Sequence, residues 1–240
     1  MTSQTACGVG RASRLPSTAA ALAVVLSVAG CQQGDYAEPI ANEVTVHDDD
    51  GMHGAVLTDQ YVMPDLALTA TDGSSYSLTE DTTDPLTLVF FGYTQCPDIC
   101  QVVMSDIASA MTRLDENDRE QVGMLFITSD PARDDPQTLR TYLDRFDPDF
   151  EGVTGRLGQI VKVGNELGVP IEKGRQLPSG GYEVAHGTQI VAVDENDRSP
   201  IVWTEGTSAA ALAEDLTGLI DGVSTGSTTR GGGSTTGNAP

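Results

Sequence analysis

Hydrophobic and polar positions follow two alternating periods along the middle of the chain. Leu86, Thr87, Leu88, Val89, Phe90 and Phe91 form an apolar, β-rich run that ends at Gly92. That is the pattern of a strand buried on both faces. Ile99, Val102, Val103, Ile107, Ala110, Met111 and Leu114 then recur at three- and four-residue steps, which predicts an amphipathic helix. Residues 122–128 predict a second buried strand. Pro136, suited to a first helical turn, opens a helix carrying Leu139, Tyr142, Leu143 and Phe146. Leu157, Ile160, Val161 and Leu167 predict another helix, closed by Gly168. Residues 188–193 and 201–204 read as strands joined across Asn196-Asp197. Residues 208–220 read as an Ala- and Leu-rich helix capped by Ser208. Residues 66–70 and 76–78, on either side of Asp72-Gly73, suggest an N-terminal hairpin. The order describes a layered α/β domain. Its central mixed β-sheet has parallel strands at the start and an antiparallel pair at the end, with helices on its faces.

The periodicity fails at both ends of the chain. Residues 1–30 contain Arg11 and Arg14 and no acid, followed by an apolar run over residues 19–29. That run is too short for a bilayer, which needs about 20 residues, and fits the core of a secretory signal. It ends in Val28-Ala29-Gly30-Cys31, which resembles a bacterial lipobox. The resemblance implies cleavage before Cys31 and acylation of its thiol, and two or three acyl chains anchor firmly. Residues 31–55 read as an acidic tether, with Asp35, Glu38, Glu43, Asp48, Asp49 and Asp50 and no base. From residue 222 the chain is mostly Gly, Ser and Thr with almost no apolar residue, the composition of a disordered tail. Residues 56–221 remain as one domain.

Composition narrows the chemistry. The 240 residues carry 13 Lys and Arg against 35 Asp and Glu, a formal net charge of −22. Such a chain repels phosphates, which excludes sequence-independent nucleic-acid binding. A hydrophobic content of 39% suffices for a core. There are 4 Cys and 3 His. Cys7 leaves with the signal and Cys31 takes the lipid, so the expected address is the extracytoplasmic face of the cell membrane. Only Cys96 and Cys100 remain as thiols there, in an oxidising compartment.

Those two lie in Phe91-Gly92-Tyr93-Thr94-Gln95-Cys96-Pro97-Asp98-Ile99-Cys100. Cys96 follows a buried strand where the next helix begins, with Pro97 suited to the first helical position. Backbone N–H groups and the helix dipole there favour a thiolate, so the Cys96 pKa is expected to be low. Cys100 is one helical turn on and on the same face. The sulfurs can bond to each other or share one metal ion. A stabilising disulfide would close a very short loop and contribute little. Two thiolates are an incomplete zinc site, whereas Cu(I) is soft and content with few ligands. A third ligand must come from His47, His53 or His186. His47 and His53 lie in the acidic tether, where a solvated linker role is the plain reading. His186 precedes a strand whose near end, in this topology, falls at the same sheet edge as the Cys96 loop.

Residues 56–221 resemble the Sco/SenC family of copper-binding, thioredoxin-like assembly proteins. The resemblance rests on residues 91–100, on Phe126-Ile127-Thr128-Ser129-Asp130-Pro131-Ala132-Arg133-Asp134, and on His186 after Tyr182. It implies a thioredoxin-like fold, with copper, Cu(I) or Cu(II), held by Cys96, Cys100 and His186. It implies a membrane-anchored role in maturing the dinuclear copper site of cytochrome c oxidase subunit II, or another extracytoplasmic copper protein. The delivered species is copper, reducing equivalents, or both. Two positions depart from the family pattern: Ala185 replaces the usual Asp before the ligand His, and Gln101 replaces a frequent Pro. Asp130-Pro131 with Arg133-Asp134 reads as a turn after a strand, with Asp134 or Asp135 starting a helix, and is taken as structural. The competing class is a thiol–disulfide oxidoreductase or thioredoxin-like peroxidase without copper delivery, with Cys96 and Cys100 as redox-active thiols. Against it stands the spacing, one residue longer than Cys-x-x-Cys. A passive copper store differs only in its partner.

Overall fold

The computed structural model describes residues 51–176 and 182–229. The signal, Cys31, His47 and most of the tether lie outside them. Ten strands and five helices follow in order: β1 (Ala55–Val62), β2 (Ala67–Ala70), β3 (Ser75–Ser77), β4 (Leu86–Gly92), α1 (Ile99–Met111), α2 (Glu116–Arg119), β5 (Val122–Thr128), α3 (Pro136–Leu143), β6 (Glu151–Thr154), α4 (Leu157–Glu166), β7 (Ile171–Gln176), β8 (Tyr182–His186), β9 (Ile190–Asp194), β10 (Arg198–Trp203) and α5 (Ala209–Thr229).

Eight strands form one mixed sheet in the order β1-β10-β9-β4-β5-β6-β2-β3. β4 is parallel to β5 and antiparallel to β9. Every residue of β4 is buried. Leu86, Leu88 and Phe90 pack with Val103, Met104 and Ile107 of α1 and with Leu212 and Leu216 of α5. Val89 and Phe91 point the other way, onto Ile160 and Val163 of α4. The period-two alternation of side chains thus feeds two cores, one on each face of the sheet. Trp203 is fully buried in the first of them.

The expected elements are present, with additions. The N-terminal hairpin forms around Gly73, and β2 joins it to the main sheet through β6. Asp197, at φ 60°, makes the turn between β9 and β10. Gly168 ends α4 at φ 69°, a conformation that costs a residue with a Cβ. β1, β6, β7 and β8 were not anticipated. α1 starts at Ile99, so Pro97 stands ahead of the helix rather than in its first turn. Its displacement has a local cause: residues 93–96 close a turn, with the Cys96 N–H donating to the Tyr93 carbonyl (3.1 Å). α5 runs to Thr229, past residue 222 where a disordered tail was expected. A helix already nucleated on a packed face extends at little cost per residue.

The end of the tether is fastened rather than free. Asp215 of α5, 2% exposed, accepts bonds from the backbone N–H groups of His53 (2.9 Å) and Gly54 (2.8 Å) and from Trp203 Nε1 (2.7 Å). A Cβ on Gly54 would stand 2.6 Å from the Trp203 ring, so glycine is required there. The strand registers carry this point to the site. Ala55 pairs with Val202, Trp203 with Ile190 and Ile190 with Phe90. The chain therefore enters the sheet at the same edge from which the Cys96 loop leaves it. Among the described residues no helix is long and apolar enough to cross a membrane.

Candidate metal centre

β4 hands the chain to α1 through residues 93–98, and the loop is fastened on its β5 side. Ser129 N–H donates to the Gly92 carbonyl (2.7 Å). The Asp134 carboxylate accepts from Thr94 N–H (3.0 Å), Thr94 Oγ1 (2.6 Å) and Thr128 Oγ1 (2.7 Å). Cys96 is 6% exposed and Cys100 fully buried, and the two are free thiols, not a disulfide.

Their surroundings split their acidities. Burial pushes the Cys96 thiol up, but hydrogen bonds from Cys100, from the backbone N–H groups of Asp98 and Cys100, and from the Tyr93 hydroxyl outweigh it. The net shift is downward, and the amides responsible are those at the start of α1. Cys100 is shifted the other way, by burial first and then by the bond it gives to Cys96. Cys96 is thus the more acidic thiol of the pair and Cys100 the less acidic.

His186 is the last residue of β8, in a separate two-stranded sheet with β7. Its ring is edge-on to Tyr93 (centroids 5.9 Å, 88°) and to Phe90 (6.4 Å, 80°). Nδ1 lies 2.8 Å from the Gly187 carbonyl. A carbonyl only accepts, so Nδ1 carries the proton and Nε2 keeps its lone pair. Nε2 stands 3.8 Å from Cys100 Sγ. Burial lowers the His186 pKa, partly offset by the Gly187 bond, so the imidazole is neutral at neutral pH. Tyr93 closes the group. Its phenol is pushed up to about 12 by burial and by the adjacent cysteines, and Arg133, paired with Asp130, lies 5.7 Å above its ring.

These donors fit a soft ion. With bonds of about 2.3 Å to sulfur and 2.0 Å to nitrogen, and an angle near 120°, one ion sets S and N about 3.7 Å apart. The observed Cys100–His186 distance matches that spacing. Among the described residues no three His, Cys, Asp or Glu side chains already form a closed set. Cys100 and His186 are a prearranged pair, and Cys96 stands beside them in hydrogen-bond contact with Cys100.

The match to known proteins covers this whole domain: the SCO1/SenC family model spans residues 56–221. The chain belongs to the SCO1/SenC family. SCO1/SenC relatives include the Saccharomyces cerevisiae mitochondrial protein SCO2, 31% identical over 132 residues, covering 51% of this chain and 44% of that protein. The chain spans about half the length of the curated relatives it matches. Bradyrhizobium japonicum ScoI, solved with copper bound, superposes with a TM-score of 0.57 at 31% identity, covering 65% of this chain and 98% of that one. Apo Sco1 of Thermus thermophilus gives 0.63 at 27%, covering 70% and 96%. The thioredoxin-like, mixed α/β fold expected from the sequence is therefore the fold found.

Cys96, Cys100 and His186 meet at one edge of the sheet, as the topology required. His186 ends a strand instead of lying in a loop. His53 lies ahead of β1 at that edge, its Nε2 on Glu214 (3.0 Å) and not in the site. Tyr93 and Asp134 had no site role in the sequence reading. Both sit in the motifs singled out there, and only the register of β4 on β5 brings Asp134 beneath the Cys96 loop.

Proposed function

We propose that Cys96, Cys100 and His186 bind copper, and that the protein delivers it to the dinuclear site of cytochrome c oxidase subunit II. The observation that carries this reading is the neutral His186 with its Nε2 lone pair 3.8 Å from Cys100 Sγ. Two thiol sulfurs and one imidazole suit Cu(I), and the same trio accepts Cu(II) with added ligands. Copper bound to a family member 31% identical over this domain supports the choice of metal. An acylated Cys31 would hold the domain at the extracytoplasmic face of the membrane. The test is titration of the reduced protein with Cu(I) beside Cys96→Ser, Cys100→Ser and His186→Ala. Each variant is expected to lose at least tenfold in affinity. Unchanged Cu(I) and Cu(II) binding by His186→Ala would refute the three-donor site.

A second reading has its own observation, the unequal thiols. Cys96 thiolate attacks a disulfide in the target's copper site, forming a mixed disulfide and expelling one target thiolate. Cys100 passes its proton to the thiolate just expelled, attacks the Cys96 sulfur and releases the second target sulfur as a thiolate. Two electrons pass to the target, and Cys96–Cys100 becomes the disulfide. This step prepares the same target for copper, so the two readings are compatible. Target reduction at wild-type rate by His186→Ala, with copper transfer lost, would separate them.

A further inference from the structure

The Asp134 carboxylate is 1% exposed, and two of its three hydrogen bonds are directed at the Cys96 loop. A buried carboxylate is costly unless its oxygens are satisfied. Three donors satisfy this one, and two of them belong to Thr94, two residues before Cys96. The third, Thr128 Oγ1, ends β5 and in turn accepts from Asp130 N–H (3.0 Å). The nearest cation in sequence, Arg133, pairs with Asp130 instead. Forty residues separate Asp134 from Thr94, so the contact is tertiary and not part of a turn.

We propose that Asp134 is a positioning residue of the metal centre, holding the Thr94 end of the loop so that Cys96 stays within reach of Cys100 and His186. The proposal rests on the copper reading above. It assigns a site role to a segment whose sequence reads only as a turn. Asp134 touches neither sulfur, so its effect on metal passes through loop geometry. Loss of both Thr94 bonds frees the turn that carries Cys96, and the ion must then order that loop at its own expense. Bonds to a charged group are strong enough that losing them should weaken binding about tenfold or more.

The test is Cu(I) affinity of the reduced full chain by competition with a chromophoric Cu(I) chelator, for Asp134→Ala, Asp134→Asn and Thr94→Val. Asn can accept from Thr94 N–H and Thr128 Oγ1 through its oxygen and donate to Thr94 Oγ1 through its amide. Asp134→Asn is therefore expected within about threefold of wild type, Asp134→Ala at least tenfold weaker, and Thr94→Val between them. Rescue by Asn is the readout that a role confined to overall stability would not produce. Asp134→Ala within twofold of wild type, or Asn as weak as Ala, overturns the proposal. If Asp134→Ala does not fold, Thr94→Val and Asp134→Asn decide by the same ordering, and wild-type affinity in both overturns it. Cys96→Ser is run alongside. If it binds Cu(I) like wild type, the copper reading fails. Wild type, Asp134→Ala, Asp134→Asn and Thr94→Val are also ranked by the Cys96–Cys100 reduction potential, where Asp134→Asn near wild type with Asp134→Ala displaced supports the proposal. No displacement in Asp134→Ala overturns it.

Discussion

Replacing Tyr93 with Phe removes one oxygen from the site and leaves the ring that stands edge-on to His186 at 5.9 Å. The lost hydroxyl donates to Cys96 and helps to hold its pKa down. A hydrogen bond to a charged group is worth about 1.5–3 kcal/mol. Sulfur is a weak acceptor and Tyr93 is only half-buried, so about 1 kcal/mol is the appropriate magnitude here. That corresponds to about 0.7 pH unit, at 1.36 kcal/mol per unit. The sign is fixed by chemistry: the hydroxyl stabilises the thiolate, so its removal raises the Cys96 pKa. At a pH well below the midpoint the thiolate fraction falls about fivefold. The assay is alkylation by iodoacetamide against pH, with modification at Cys96 and Cys100 counted separately by mass spectrometry. Wild-type Cys96 is expected to react first, and Tyr93→Phe to shift its midpoint upward while Cys100 stays slow. A midpoint that moves by less than 0.2 unit, or moves down, would refute the reasoning.

Asp215→Ala leaves the His53 and Gly54 N–H groups and Trp203 Nε1 without their partner, an expected loss of about 2–4 kcal/mol after allowing for the burial cost of the carboxylate; an unfolding free energy from urea titration within about 0.5 kcal/mol of wild type would contradict it. His186, with its pKa lowered by burial, binds its proton more weakly in the folded than in the unfolded chain. Its contribution to stability is therefore full above pH 6.5 and falls as the pH drops below it. A ¹⁵N titration should show Nδ1–H and a midpoint below 6.5, and a midpoint above that value would be inconsistent with the buried ring. Cys31→Ser should release the protein from membranes into the soluble extracytoplasmic fraction, and membrane retention would remove Cys31 as the anchor.

The legible parts of the fold were those that bury themselves along their own length. β4 and β5 announce themselves because both faces are covered, and α1 and α3 because one stripe is. β1 escapes this reading because it is an edge strand with one buried residue, Leu57. β6 is four residues long. β7 and β8 are charged and polar along much of their length, and they pair only with each other. No periodic pattern marks them, so His186 read as a loop residue. The cysteine pair was legible because its chemistry is local: a strand end, a turn and a helix start within ten residues. Asp134 was not, because its partner lies 40 residues away and its local sequence satisfies a turn equally well. Tyr93 is similar. Its hydroxyl reaches Cys96 within the same loop, but its ring contact is with an imidazole delivered from another sheet.

The central claim is that one ion is shared by two sulfurs and one imidazole nitrogen. X-ray absorption at the copper edge of the Cu(I)-loaded, reduced protein counts those donors directly. Two sulfurs and one nitrogen are expected in the wild type, with the nitrogen lost in His186→Ala and one sulfur lost in Cys96→Ser. A copper environment that is the same in the wild type and in His186→Ala would contradict the account.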